Sequence, residues 1–194
     1  MRGARWLVDS LRAKQPFNKE LGQHFLINDE LIGFSVNHAA LSEQDHVLEI
    51  GAGPGVLTEA LLNSKCKVTA IEIDEIAVQH LREMFAPEIE QDRLNIIDGD
   101  ALKVKWPQDI SKVIANIPYQ ISSPLVDKLT KFLREQKEDS LNMVLLLVQE
   151  EFAERLVMEY ESDVGSLGMT ALLDWESNII KKVPPHNFSP NPKV

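Results

Sequence analysis

The run His46-Val47-Leu48-Glu49-Ile50, followed at once by Gly51-Ala52-Gly53-Pro54-Gly55, limits the possible folds more than any other stretch of the chain. A short apolar segment that ends in spaced glycines and opens into a helical pattern from Val56 to Asn63 reads as a strand, a tight turn and a helix packed back on the strand. The same alternation continues downstream. A strand over Lys67 to Ile73 leads into a helix from about Glu75 to Phe85 and a strand over Leu94 to Ile97. Next come a strand over Lys112 to Ala115, a helix from Ser122 to about Arg134, and the apolar run Leu141 to Val148, long enough for a central buried strand. Before the first strand, Asn28 or Asp29 caps a helix through about Ala40. After the fifth, a helix over Glu150 to Tyr160, a turn at Ser162 to Gly165, a further helix to about Leu173 and a strand near Ser177 to Val183 are expected. Strands and helices alternating in this way predict an α/β fold with a doubly wound, mostly parallel sheet.

Such sheets bind ligands at the carboxyl ends of their strands, and several chemistry-bearing residues fall there. Glycine in the first loop lets the backbone approach a ligand closely. The spacing G-x-G-x-G is one residue shorter than the dinucleotide fingerprint, and Pro54 lacks the backbone donor that a pyrophosphate would use, so the loop suits a ligand without phosphates. Glu72 ends the second strand, about 20 positions on, where a carboxylate takes ribose hydroxyls. Asp98-Gly99-Asp100-Ala101 ends the third: Asp100 is placed to accept from an adenine amine, while Asp98 reads as a turn or cap residue, and both acids would also serve as plain turn formers. Asn116-Ile117-Pro118-Tyr119 ends the fourth. An amide oxygen and a nearby backbone carbonyl accept the hydrogens of an amine on a flat ring, and a tyrosine face stacks on that ring. Glycine loop, Glu72, Asp100 and Asn116 converge on one crevice, for which S-adenosylmethionine is the economical ligand and adenine the fitting acceptor.

Composition sets the outer limits. With 194 residues, 44% hydrophobic and 26% charged, one globular domain is expected. No apolar run approaches the roughly 20 residues of a membrane span, and the N-terminus lacks the apolar core of a secretion signal, so a cytoplasmic protein without membrane association is expected. The single Cys66 makes neither an internal disulfide nor a multi-cysteine metal site and is expected to pack inertly at the start of a strand; no metal site is expected. A net charge of −10 argues against nonspecific nucleic-acid binding. The charge is uneven: Arg2, Arg5, Arg12, Lys14 and Lys19 against Asp9 alone give residues 1–19 a net +4 and leave −14 on residues 20–194. The N-terminal segment therefore reads as a basic arm that either touches a phosphate backbone or lies solvated and partly disordered.

Six ordered motifs carry a resemblance. Leu21-Gly22-Gln23-His24-Phe25-Leu26, Val47 to Gly55, Ile71-Glu72-Ile73-Asp74, Gly99-Asp100-Ala101, Asn116 to Pro124, and Val183-Pro184-Pro185 with Phe188 to Val194 closely resemble the ribosomal RNA adenine dimethyltransferases, the KsgA family, from about Phe17 onward. The resemblance implies a Rossmann-like class I methyltransferase domain over residues 20–194, S-adenosylmethionine as cofactor, and dimethylation of the exocyclic amine of adenines in small-subunit ribosomal RNA during ribosome biogenesis, by a monomer. It implies cofactor contacts from Gln23, His24, Leu26, Gly51, Gly53, Gly55, Glu72, Ile73, Asp100, Ala101 and Asn116, and target-base contacts from Asn116, Pro118, Tyr119 and Phe188. Apart from the family, His24 would pass as a capping or packing histidine and Phe188 as core.

The implied mechanism rests on an amine whose lone pair is delocalised into the ring. Hydrogen bonds to the Asn116 oxygen and to a main-chain carbonyl near Ile117 or Pro118 favour a pyramidal nitrogen, and no strong general base or metal is required. Two features depart from the family. Its members usually continue past the Pro-x-Pro-Lys-Val motif into a last strand, lying between the fifth and sixth, and a small helical domain; without that strand the sixth would lack its normal partner and a central edge would be exposed. The chain is also acidic. A large-subunit rRNA adenine methyltransferase and a noncatalytic RNA-binding assembly factor are the alternatives, while Ile117 argues against DNA adenine and protein glutamine methyltransferases, and Pro54 against a nicotinamide-dependent oxidoreductase.

Overall fold

The structure is a computed structural model that describes residues 2–18, 21–136, 140–158, 171 and 173–192. Its centre is a parallel five-stranded sheet built from β2 (His46–Ile50), β3 (Lys67–Glu72), β4 (Leu94–Asp98), β5 (Lys112–Asn116) and β6 (Met143–Leu147). The spatial order is β4-β3-β2-β5-β6, so the chain reverses direction across the sheet between β2 and β5. In register, Ile50 faces Ile71 on one side and Ala115 on the other, and Asn116 faces Leu147. The three central strands are nearly all buried and read as continuous apolar runs because helices cover both faces.

Alternate residues of each strand feed opposite layers. Leu48, Ile50, Ile71, Val113 and Ala115 pack with Leu125, Leu129 and Phe132 of α6 (Ser122–Glu135) and with Trp106. Val47, Val68, Ala70 and Ile114 pack with Leu61 and Leu62 of α3 (Val56–Asn63), Leu81 of α4 (Glu75–Met84) and Phe85. The helix ends follow local chemistry. Asn28 caps α2 (Asp29–His38) by accepting from the Glu30 and Leu31 N–H groups, and Asp74 caps α4 by accepting from Ile76 and Ala77. Gly55, at φ 83°, makes the left-handed turn into α3, and a Cβ there would lie 2.5 Å from the Phe85 ring. Cys66 is buried, its Sγ–H donates to the Leu61 carbonyl at 3.3 Å, and burial pushes its thiol up to about 11, as suits inert packing. Pro87 starts a short extra helix, α5 (Ala86–Glu90), directly behind α4.

Besides β6, expected as a central buried strand but half-buried at the edge of the described sheet, two regions differ from expectation. The N-terminal segment is not a solvated arm: Ala4–Arg12 form α1, whose Ala4, Leu7, Val8 and Leu11 make a buried stripe, the first three packing with Ile32 and Val56. Burying each of the three large side chains is worth roughly 1.5–3 kcal/mol, against about 0–1 for an exposed ion pair, so apolar patterning decides where this basic segment goes. Three of its cations are also engaged within the chain: Arg2 with Glu59, Arg12 with Asp9, and Lys14 with Glu83. The second difference lies at 177–183, where no strand forms. This segment joins no backbone ladder and is held by side chains instead, Lys181 over the Phe34 ring and Lys182 between Glu150 and Glu154 of α7 (Glu150–Val157). A strand needs an adjacent ladder to satisfy its backbone, and β6 ends the described sheet without one. The turn expected at Ser162–Gly165 and most of the helix after it lie outside the described residues. Among the described residues, no helix is long and apolar enough to cross a membrane.

Candidate active site

The carboxyl ends of β2, β3, β4 and β5 open on one cavity of about 1130 Å³, which continues along the flank of β6. Gln23, His24, Gly51, Glu72, Ile73, Asp100, Ala101, Asn116, Pro118, Tyr119 and Phe188 all line it. Leu26, Gly53 and Gly55 do not. Leu26 pairs with Phe188 in a small antiparallel ladder between β1 (Phe25–Leu26) and β7 (Phe188–Ser189), and Gly55 turns toward the core against Phe85. Gly53 acts one step back, through its N–H.

That N–H donates to Glu72 Oε2 at 2.7 Å, and the Ile73 and Asp74 N–H groups donate to Oε1, each at 2.9 Å. The carboxylate is thus fixed by backbone alone. Three of its roughly four lone-pair sites are used, so the remaining site is on Oε2. Burial pushes the Glu72 carboxyl up, against the pull of its three backbone donors. Asp74 completes this corner: its Oδ2 accepts from Gln15 Nε2 at 2.7 Å and Gln23 Nε2 at 3.0 Å. Sequence patterning gave no sign of Gln15, which sits in the segment read as an arm. Across the crevice, Lys128 donates to the Ala101 and Val104 carbonyls, both at 2.7 Å, and holds the loop that carries Asp100. No motif marks that lysine; its spacing on α6 is that of a surface residue.

Asn116 stands beside Gly51 at the end of β5. Its Nδ2 donates to the His24 carbonyl at 3.1 Å, which turns Oδ1 the other way, and no described residue donates to Oδ1. Among nearby carbonyls, that of Pro118 already accepts from Ile121 N–H and Ser122 Oγ, whereas no described residue donates to that of Ile117. Tyr119 is 42% exposed, and its ring stacks on that of His24 with centroids 6.4 Å apart. The segment 187–190 is tied in from a distant part of the chain: the Asn187 carbonyl accepts from the Ile27 N–H at 2.8 Å, its Oδ1 accepts from Asn28 Nδ2 at 2.7 Å, and the Pro190 carbonyl meets His24 Nδ1 at 2.8 Å. Behind the glycine loop, Glu49 is fully buried and accepts from Thr58 Oγ at 2.6 Å; burial, with the Glu72 charge nearby, pushes its carboxyl up to about 8.

A doubly wound sheet of this order, with a glycine loop and a backbone-clamped carboxylate at one end, is that of the Rossmann-like class I methyltransferase fold. The chain belongs to the ribosomal RNA adenine dimethylase family, whose model matches residues 14–194. It is 40% identical over 186 residues to a probable ribosomal RNA small subunit methyltransferase A of Haloarcula marismortui, covering 94% of this chain and 62% of the relative. It is 41% identical over 173 residues to a protein of the same name from Methanococcoides burtonii, covering 89% of this chain and 60% of the relative. The chain therefore spans about three fifths of the length of these curated relatives. Among solved structures, it superposes on a dimethyladenosine transferase from Plasmodium falciparum with a TM-score of 0.76 and 33% identity, covering 86% of this chain and 58% of that one. The 23S rRNA methyltransferase ErmE superposes with a TM-score of 0.73 and 28% identity, covering 88% and 66%.

Proposed function

We propose that the protein dimethylates the exocyclic amine of adenines in small-subunit ribosomal RNA, using S-adenosylmethionine, as a cytoplasmic monomer whose residues 20–194 form the catalytic domain. The carrying observation is the Asn116 side chain, which lines the crevice with its nitrogen held by the His24 carbonyl and its oxygen without a donor among the described residues. The cavity fits the cofactor: the loop has a glycine rather than a side chain at Gly51, its Pro54 offers no donor for a phosphate, and Glu72 Oε2 keeps a lone pair for a ribose hydroxyl. Asp100 and Ala101 would meet the adenine end, with Ile73 flanking it. When bound, the cofactor supplies an electrophilic methyl group.

The chain's own residues then prepare the acceptor. Asn116 Oδ1 and the Ile117 carbonyl accept the two hydrogens of the target amine, drawing its nitrogen out of conjugation with the ring. The Pro118 carbonyl is excluded from this task by the two donors it already holds. Tyr119 and Phe188 supply aromatic faces for a base taken out of its stack. The test is to incubate the protein with labelled S-adenosylmethionine and immature small ribosomal subunits. Dimethyladenosine in the RNA, lost in Asn116→Ala, is the expected result; folded protein that binds cofactor but forms none would overturn the proposal.

A further inference from the structure

We infer that Gln15, which lies outside the crevice, is a positioning residue of its cofactor half and acts through Asp74, an assignment that rests on the proposed reading of the crevice as an S-adenosylmethionine site. Asp74 is buried, and all of its roughly four lone-pair sites hold a donor. Its Oδ1 caps α4 by accepting from the Ile76 and Ala77 N–H groups at 3.0 and 3.3 Å. Its Oδ2 accepts from Gln15 Nε2 at 2.7 Å and from Gln23 Nε2 at 3.0 Å. The two glutamines thus share one oxygen, and Gln15, half-buried, makes the shorter bond.

Gln23 lines the crevice, and its amide is set from both ends: the Asn18 N–H donates to Oε1 at 2.8 Å, and Nε2 gives one of its two hydrogens to Asp74. The other hydrogen is the one that Gln23 would offer a cofactor. Glu72 needs no such help, because backbone N–H groups alone hold it. Without Gln15, Asp74 Oδ2 keeps a single donor, so the carboxylate is free to turn about its cap bonds and carry the Gln23 amide with it. Gln15 is delivered by α1: its N–H donates to the Leu11 carbonyl at 3.1 Å, and Lys14 beside it pairs with Glu83 of α4. Docking of the N-terminal helix and order in the cofactor half are therefore joined by a bond between residues 59 positions apart.

Calorimetric titration of S-adenosylhomocysteine into three variants tests this, with thermal melting to confirm that each is folded. Gln15→Leu, of similar size but without a donor, should weaken binding about threefold to tenfold, the worth of one hydrogen bond. Gln15→Lys, which returns an N–H donor to Asp74, should recover most of the loss. Lys14→Gln breaks the neighbouring ion pair with Glu83 and leaves Asp74 alone, so its affinity should equal that of the wild type. In methyl transfer, Gln15→Leu should raise KM for S-adenosylmethionine and leave kcat unchanged, a split that a smaller folded fraction does not produce. A fall in kcat at unchanged KM, no recovery in Gln15→Lys, or an equal loss of affinity in Lys14→Gln would each overturn the inference. Wild-type protein that binds no S-adenosylhomocysteine would remove the cofactor reading and the inference with it, whereas equal binding by the wild type and Gln15→Leu would remove only the role of Gln15.

Discussion

On the cofactor side of the crevice, Glu72 is held by the N–H groups of Gly53, Ile73 and Asp74, at sequence separations of 19, 1 and 2. On the base side, Asn116 is held by the carbonyl of a residue 92 positions away, and that residue in turn by one 166 positions away. The first half is a product of local turns, rigid as soon as β2 and β3 pair. The second exists only when three distant segments meet. The proposed catalysis by orientation needs both, but they should fail in different ways.

The largest expected effect comes from removing the acceptor on the base side. Asn116→Ala should lower the methyl-transfer rate about 10²–10³-fold, the usual result of deleting one preorganised polar group, as followed by methyl incorporation under saturating cofactor. On the proposed cofactor side, Glu72→Gln removes the charge proposed to anchor the ribose and should raise the dissociation constant for S-adenosylhomocysteine about 10–100-fold, the worth of a hydrogen bond to a charged group. Gly55→Ala tests the rigidity of that same half without touching the crevice. Its Cβ would meet Phe85 at a positive φ, and urea unfolding should show a loss of about 1–3 kcal/mol.

The smallest effect sharpens the contrast through pH. Glu49 lies on β2 beneath the glycine loop, and its carboxyl is raised to about 8 from an ordinary 4.5. A raised folded-state value means that the folded form binds the proton more tightly than the unfolded one, so this group's stabilisation is complete below pH 4.5 and is lost as pH rises toward 8. Glu49→Gln cannot ionise and still offers an acceptor to Thr58. Its melting temperature should decline less than that of the wild type between pH 6 and 9, the interval that contains the upper value of about 8.

The same contrast explains what the sequence discloses. The glycine loop, Glu72 and Asp100 are legible because each is set by its neighbours within a strand–turn–helix unit, and the bounds His46–Ile50 and Val56–Asn63 match the expected ones. Asn116-Ile117-Pro118-Tyr119 is legible as chemistry. Its supports are not: nothing in the residues around His24 or Pro190 announces that they touch, and Gln15 reaches Asp74 only because α1 docks on an apolar stripe that the charge count concealed. The expected strand at 177–183 shows the opposite error, a β-like pattern with no ladder to join. Local motifs mark the proposed cofactor site, while long-range bonds build the proposed base site.

The central claim, that cofactor binding and base positioning are separate constructions meeting in one crevice, is tested most directly by calorimetric titration of S-adenosylhomocysteine into the wild type, Asn116→Ala and Glu72→Gln. The account predicts binding of equal affinity in the wild type and Asn116→Ala, and binding weakened only in Glu72→Gln. Folded wild-type protein that binds no S-adenosylhomocysteine, or affinity lost equally in both variants, would contradict it.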